Sequence, residues 1–151
     1  MLQRIWNVVL LINCLLVNCW PSPTGDGTIE VNIEYELESD RLTLHGLTIT
    51  IPLPGGFPSV TSHSGTYAVD PSTNALVWSI PLVSPTENRS GSLEFTVDGD
   101  DASVFFPVKV DFAAEGSLVG VKVANVYKVD SEDEAVFSQE ATCTTEEYLI
   151  V

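Results

Sequence analysis

The chain predicts an all-β fold, an antiparallel sandwich or a bent multi-sheet structure, and three observations carry that expectation. Between Ile29 and Leu37 apolar and polar residues alternate without a break, Ile29, Val31, Ile33, Tyr35 and Leu37 against Glu30, Asn32, Glu34 and Glu36. That is the pattern of a strand with one buried and one wet side. The same period of two recurs down the chain between clusters of Gly, Pro, Asp and Asn, which read as turns. No stretch of ten or more residues beyond the N-terminal apolar run carries helical periodicity. With 151 residues, 44% of them hydrophobic, the chain can build one cored domain, or a piece of one, and is too short for two ordinary domains.

The first segment allows two readings. Arg4 followed by an apolar run from Ile5 to Val17 is similar to a secretory signal peptide. The run is too short for an ordinary membrane span. Asn7 and Asn13 interrupt it, and no small-x-small cleavage site follows before Pro21. The other reading is a buried strand from Leu10 to Cys19 after a ragged start. After the strand at Ile29 to Leu37, a second runs from Arg41 to Ile51. Leu42 and Leu44 lie on one phase and Leu47, Ile49 and Ile51 on the other, so the phase flips at His45-Gly46 and a bulge is expected there. The prolines and glycines from Pro52 to Pro58 end it.

Tyr67 to Val69 is a short strand, and Asp70-Pro71-Ser72-Thr73-Asn74 a turn by composition. Ala75 to Ile80 follows with Leu76, Trp78 and Ile80 on one face, then Ser92 to Val97 with Leu93, Phe95 and Val97 together, closed by Asp98-Gly99-Asp100. Phe106, Val108, Val110 and Phe112 make the next face, opposite Phe105, Pro107, Lys109 and Asp111. Pro107 cannot donate to a ladder, which predicts an edge strand or a bulge at that point. Val119 to Val129, Val136 to Cys143 and Glu147 to Val151 are the last strand candidates.

Twenty-one acidic residues against six basic give a net charge of −15, which repels nucleic acid and anionic head groups and leaves basic proteins open as partners. Three cysteines, Cys14, Cys19 and Cys143, form no CxxC pair, which argues against a disulfide framework or a zinc site and fits reduced thiols in a cytosolic protein. Hydrolysis by a nucleophile needs a base beside it. His45 and His63 are the two histidines: the first sits at the expected bulge, the second in Ser62-His63-Ser64-Gly65, a polar loop by composition without a nucleophile elbow. Asp98, Asp100 and Asp101 lack the later ligands of a calcium loop, because Ala102 and Lys109 stand where an oxygen ligand and a glutamate are needed. Asn88-Arg89-Ser90 is a glycosylation sequon, relevant only in the secretory lumen. Trp20 and Trp78 are expected in the core, where an indole with a paired N–H contributes most. No catalytic, cofactor or metal residue is assigned, and the residues by themselves indicate a non-catalytic binding or scaffolding protein.

Seven segments, taken as a set, resemble a known family. They are Asn18-Cys19-Trp20-Pro21-Ser22, Val31 to Leu37, Ile49-Thr50-Ile51-Pro52-Leu53-Pro54, Gly65-Thr66-Tyr67, Asn74 to Trp78, Ser90-Gly91-Ser92-Leu93-Glu94-Phe95 and Phe105-Phe106-Pro107-Val108. In order and spacing they resemble the C-terminal mu-homology domain of the coatomer delta subunit family, from about Leu15 to the C-terminus. Residues 1–14, an unmatched apolar extension, carry none of these motifs, so residues 15–151 are expected to form a partial mu-homology domain. The resemblance implies a bent antiparallel β-sandwich of the adaptor medium-chain type, incomplete at the N-terminus. It also implies a structural, adaptor-like role in the COPI coat of retrograde Golgi-to-ER and intra-Golgi transport, with other coatomer subunits and an Arf-family GTPase-recruited coat as partners. Tryptophan-containing peptides are the implied ligands, membrane association is indirect, and the location is cytoplasmic, peripheral on Golgi membrane and vesicles. The alternative is a secreted acidic β-sandwich binding protein with an N-terminal signal peptide.

Overall fold

The computed structural model describes residues 6–9, 14–116, 142–144 and 149–151. They form two antiparallel sheets. β1 (Trp6–Val9), β2 (Leu15–Pro23), β3 (Thr28–Leu37), β8 (Ser90–Asp98) and β5 (Ser59–His63) lie side by side in that order in the first. The second runs β10 (Thr142–Thr144), β9 (Val108–Glu115), β4 (Thr43–Pro52), β7 (Ala75–Val83), β6 (Thr66–Asp70), with β11 (Leu149–Ile150) also on β9.

The alternation of β3 is realised residue by residue: Ile29, Val31, Ile33, Tyr35 and Leu37 are buried, and the glutamates between them face out. Register pairs Val31 with Pro21 on one side and with Phe95 on the other, so β2, β3 and β8 present their apolar phases to the same side. β4 and β7 answer from the second sheet with Leu47, Ile49, Ile51, Trp78 and Ile80. One continuous core joins the two layers, as a sandwich requires. At its centre the rings of Tyr35 and Trp78 meet across the sheets at 5.5 Å.

The phase flip in β4 is real. Leu42 and Leu44 are buried, His45 and Gly46 exposed, and Leu47 and Ile49 buried again, with the pairing to β9 shifting between His45 and Thr48 and Gly46 at φ +62°. One extra residue in the strand restores the apolar side chains to the core after the bend.

Five expectations are corrected. Within the start expected to be ragged, Trp6–Val9 is a strand that pairs antiparallel with Leu16–Cys19, while residues 10–13 of the expected Leu10 to Cys19 strand lie outside the described residues. The strand itself continues past Cys19 to Pro23. Ser62 and His63 are not loop but the end of β5, on the β8 edge. Its residues are mostly exposed, so no two-period apolar signal marks it. Pro107 sits neither at an edge nor in a bulge. β9 begins just after it, between β4 on one side and β10 and β11 on the other, and a proline ahead of the first ladder bond removes none. Phe105, expected on the outer face, ends a short 3-10 helix, Ala102–Phe105. It is fully buried there with its ring edge-on to Phe95 at 6.2 Å. The expected strand Val119 to Val129 lies outside the described residues, as does most of Val136 to Cys143.

Candidate functional site

A strand buried on one side offers its other side to whatever the protein meets. The outer phase of the first sheet is built from β2, β3 and β8 in register. Trp20 lies beside Asn32, and Asn32 beside Glu94. One row away are Ser22, Glu30 and Thr96, and on the other side Asn18, Glu34 and Ser92. Over this face lies an open hollow of about 850 Å³ lined by Asn18, Trp20, Glu30, Asn32, Thr61 and Glu94. It continues into a second hollow of about 390 Å³ bordered by Glu34 and Glu36. Among the described residues that line the two hollows there is no Lys or Arg.

The expectation that both tryptophans lie in the core holds for Trp78 and is corrected for Trp20. Cys19 points into the core, so its neighbour Trp20 on the same strand must point out, and it is half-buried on the concave face. Trp78 is fully buried, and its Nε1–H donates to the carbonyl of Ser64 at 2.6 Å. The Cys19 thiol is free and buried, and burial pushes its pKa up to about 12. A thiol held protonated in this way is a small hydrophobe, not a nucleophile.

The Oδ1 atoms of Asn18 and Asn32 are buried on this face without a hydrogen-bond partner. Sequence reasoning had no signal for them: each is merely one polar residue on the wet phase, and only the register brings them together beside Trp20.

The other residues weighed for chemistry are engaged elsewhere. His45 Nε2 lies 2.9 Å from Glu115 Oε2 across the bulge, with both side chains about half exposed. His63 donates from Nδ1 to the Gly65 carbonyl at 3.2 Å, and its ring stands edge-on to Tyr67 at 4.9 Å. Asp101 caps the 3-10 helix by accepting from the Ser103 hydroxyl and backbone N–H, and these bonds hold its carboxyl below the usual range. It is separated in role from Asp98 and Asp100, and among the described residues no group of three acids, cysteines or histidines could hold a metal ion. Asn88 sits at φ +52° on the β7–β8 turn, its Nδ2–H donating to Leu82 O and its own carbonyl accepting from the Tyr35 hydroxyl at 2.9 Å. A turn role accounts for that residue in full.

Residues 10–150 match the model of the adaptor complexes medium subunit family. The chain is 40% identical over 139 residues to coatomer subunit delta-2 of Oryza sativa, which covers 91% of this chain and 26% of that protein. It therefore spans about a quarter of the length of that relative. Among solved structures it is similar to the yeast delta-COP-I mu-homology domain, with a TM-score of 0.72, 20% identity and coverage of 91% of this chain and 57% of that one. The same yeast domain complexed with a Dsl1 WxWxV peptide aligns with a TM-score of 0.70 at 19% identity, over 93% and 58%. The antiparallel sandwich is accordingly the mu-homology fold, and the chain belongs to the adaptor complexes medium subunit family, as a homologue of the coatomer delta subunits.

Proposed function

We propose that this chain is the mu-homology portion, residues 15–151, of a coatomer delta-type subunit, a structural adaptor in the COPI coat. The observation that carries the reading is 40% identity spread over 91% of the chain, where fold likeness by itself would leave function open. In this role the protein joins other coatomer subunits on a coat recruited by an Arf-family GTPase. It acts on the cytosolic face of Golgi membrane and vesicles in retrograde and intra-Golgi transport. It is non-catalytic: His45 lies against the exposed Glu115 carboxylate and His63 donates to a strand-end carbonyl. With a net charge of −15 the protein would be held near an anionic bilayer by its partners instead of by its own surface. Among the described residues no helix is long and apolar enough to cross a membrane.

The placement of Leu15 to Cys19 in β2, with Cys14, Leu15, Val17 and Cys19 in the core, supports this reading over the secreted one, because cleavage before Pro21 would remove four core residues. Peptide recognition is part of the proposal, since a mu-homology domain similar to this one has been solved with a WxWxV peptide. Affinity purification of the tagged protein from its own cells tests the assignment. Co-recovery of the other coatomer subunits in stoichiometric amount is expected, and their clean absence would overturn it.

A further inference from the structure

We propose that Asp26-Gly27, in the turn between β2 and β3, is a site of spontaneous covalent modification, where the aspartate closes to a succinimide and reopens as isoaspartate. The inference rests on the turn's own chemistry and stands apart from the family reading. The chain has two Asp-Gly steps, Asp26-Gly27 and Asp98-Gly99. In such a step the glycine nitrogen reaches the aspartate side chain with no Cβ in the way. The fold makes the two unequal. Gly99 N–H donates to the Gly27 carbonyl at 2.9 Å, and a Cβ on Gly99 would lie 3.4 Å from Ile29 and 3.5 Å from Pro54, so its nitrogen is bonded and its surroundings are packed. At Gly27 the situation is reversed. Its carbonyl accepts that bond, while among the described residues its own N–H has no partner. A Cβ placed on it would meet nothing within 4 Å, and Thr24 to Gly27 are all exposed.

The Asp26 carboxyl is held where the reaction needs it. Its Oδ1 accepts from the Thr24 hydroxyl, from the Thr28 hydroxyl at 2.6 Å and from the Thr28 backbone N–H at 3.1 Å. The last of these turns the side chain along the main chain toward residue 28, across the intervening Gly27 peptide. Ring closure joins Gly27 N to Asp26 Cγ. The negative oxygen of the tetrahedral intermediate is Oδ1, where three donors already converge and stabilise it. Oδ2 takes none of those bonds. It leaves as water when the Cγ–Oδ2 bond breaks, with one proton from the Gly27 amide and one from solvent. A water then adds to the main-chain carbonyl carbon of Asp26, and the bond from that carbon to Gly27 N breaks. The chain now continues through Cβ and Cγ, the former main-chain carbon is a carboxylate, and the proton borrowed from solvent is returned. Water is the sole co-reactant. Before reaction the same donors, Thr24 first, hold the carboxyl below the usual range, so the preference over Asp98-Gly99 rests on the free nitrogen and the open turn. The product lengthens the backbone at the head of the β3–β8 ladder, where Thr28 pairs with Asp98 and Gly27 O holds Gly99, which loosens the register at that end.

The test is to hold the whole chain at neutral pH and physiological temperature for several weeks and then digest it with trypsin. Cleavage after arginine and lysine puts Asp26 in the peptide 5–41 and Asp98 in the peptide 90–109, and electron-transfer fragmentation in a mass spectrometer distinguishes isoaspartate from aspartate in each. Isoaspartate should accumulate at Asp26 at least about fivefold faster than at Asp98, where Gly99 must first break its bond to Gly27 O and leave its packing. Equal rates, or the faster rate at Asp98, would overturn the proposal. Ageing the same chain in urea frees both nitrogens and should bring the two rates within about twofold of each other. A difference that persists in urea would assign the choice to local sequence instead of to the fold, and that also overturns it. Asp26→Glu, which would have to close a larger ring, should remove the isoaspartyl product from the peptide 5–41, and a product that remains there would place the modification at another residue.

Discussion

Replacing Gly91 by alanine should destabilise the domain by about 2 kcal/mol, and the structure says why. Gly91 opposes Tyr35 across β3 and β8. A Cβ built on it would lie 2.6 Å from Tyr35 Cε1 and 3.0 Å from Cζ and Oη. The backbone of Gly91 is not in the left-handed region, so alanine meets no conformational penalty there and the cost comes from the clash. The ring cannot swing aside freely. Its hydroxyl donates to Asn88 O at 2.9 Å and its ring lies tilted against that of Trp78 with centroids 5.5 Å apart, and Trp78 is itself fully buried. Overpacking costs about 1–3 kcal/mol, loss of the hydroxyl bond about 1, and relief of glycine's strand entropy returns about 0.5–1. With a urea slope of about 2 kcal/mol/M the unfolding midpoint should fall by about 1 M. In a Tyr35→Leu background the same Gly91→Ala change should be neutral or slightly stabilising, giving a coupling energy of about 2 kcal/mol between the two positions. An alanine variant as stable as the parent, or a double mutant in which the two costs simply add, would refute the claim that the tyrosine ring is pinned over the glycine.

Gly65→Ala should be worse, because its Cβ would meet the backbone oxygen of Ser79 at 2.6 Å and its φ is +65°; a melt that does not shift downward would contradict that. Trp78→Phe should cost about 2–3 kcal/mol by urea unfolding, through the lost indole volume and a Ser64 carbonyl left without its donor. Stability should fall at high pH. The Cys19 thiol titrates near its ordinary 9.0 when unfolded and near 12 when folded, so above pH 9 the unfolded state sheds a proton that the folded state keeps, and about 1.4 kcal/mol is lost between pH 8 and pH 10. Burial raises the Tyr35 hydroxyl in the same direction. A flat pH profile from 8 to 11, or equal loss in Cys19→Ala, would disprove the thiol's part. For the same reason native Cys19 should resist alkylation at pH 8 until denaturant is added, as mass spectrometry of the labelled peptide would show.

What could be read from the sequence was whatever repeats with the period of its secondary structure. β3, β4, β7, β8 and β9 each carry at least three apolar residues on one phase, and even the bulge at His45-Gly46 announced itself as a change of phase. β5 did not, because Ser59–His63 is exposed on nearly every residue, and its strand state comes from the backbone bonds that β8 offers. Phe105 was misplaced for a related reason. Read as part of β9's alternation it belongs to the outer face, whereas the Asp101 cap folds Ala102–Phe105 into a helical turn that carries its ring back to Phe95. Local side-chain bonding overrode the period, as it does at caps.

The candidate site shows the deeper limit. Asn18-Cys19-Trp20-Pro21-Ser22 is the segment that most plainly carries the family resemblance, and it read as one motif. In the folded sheet it is two half-motifs, Cys19 sealing the core and Asn18, Trp20 and Ser22 lining the concave face. Alternation divides any strand this way, but what the outer half can do depends on its neighbours: Asn32 and Glu30 from β3, Glu94 and Thr96 from β8, more than 60 residues away in sequence from Trp20. Carboxylate abundance alone suggested only a solvated surface. Pairing converts part of that abundance into a patch in which four carboxylates, two unpaired amide oxygens and one half-buried indole line two hollows that share Asn18, with no Lys or Arg among the described lining residues.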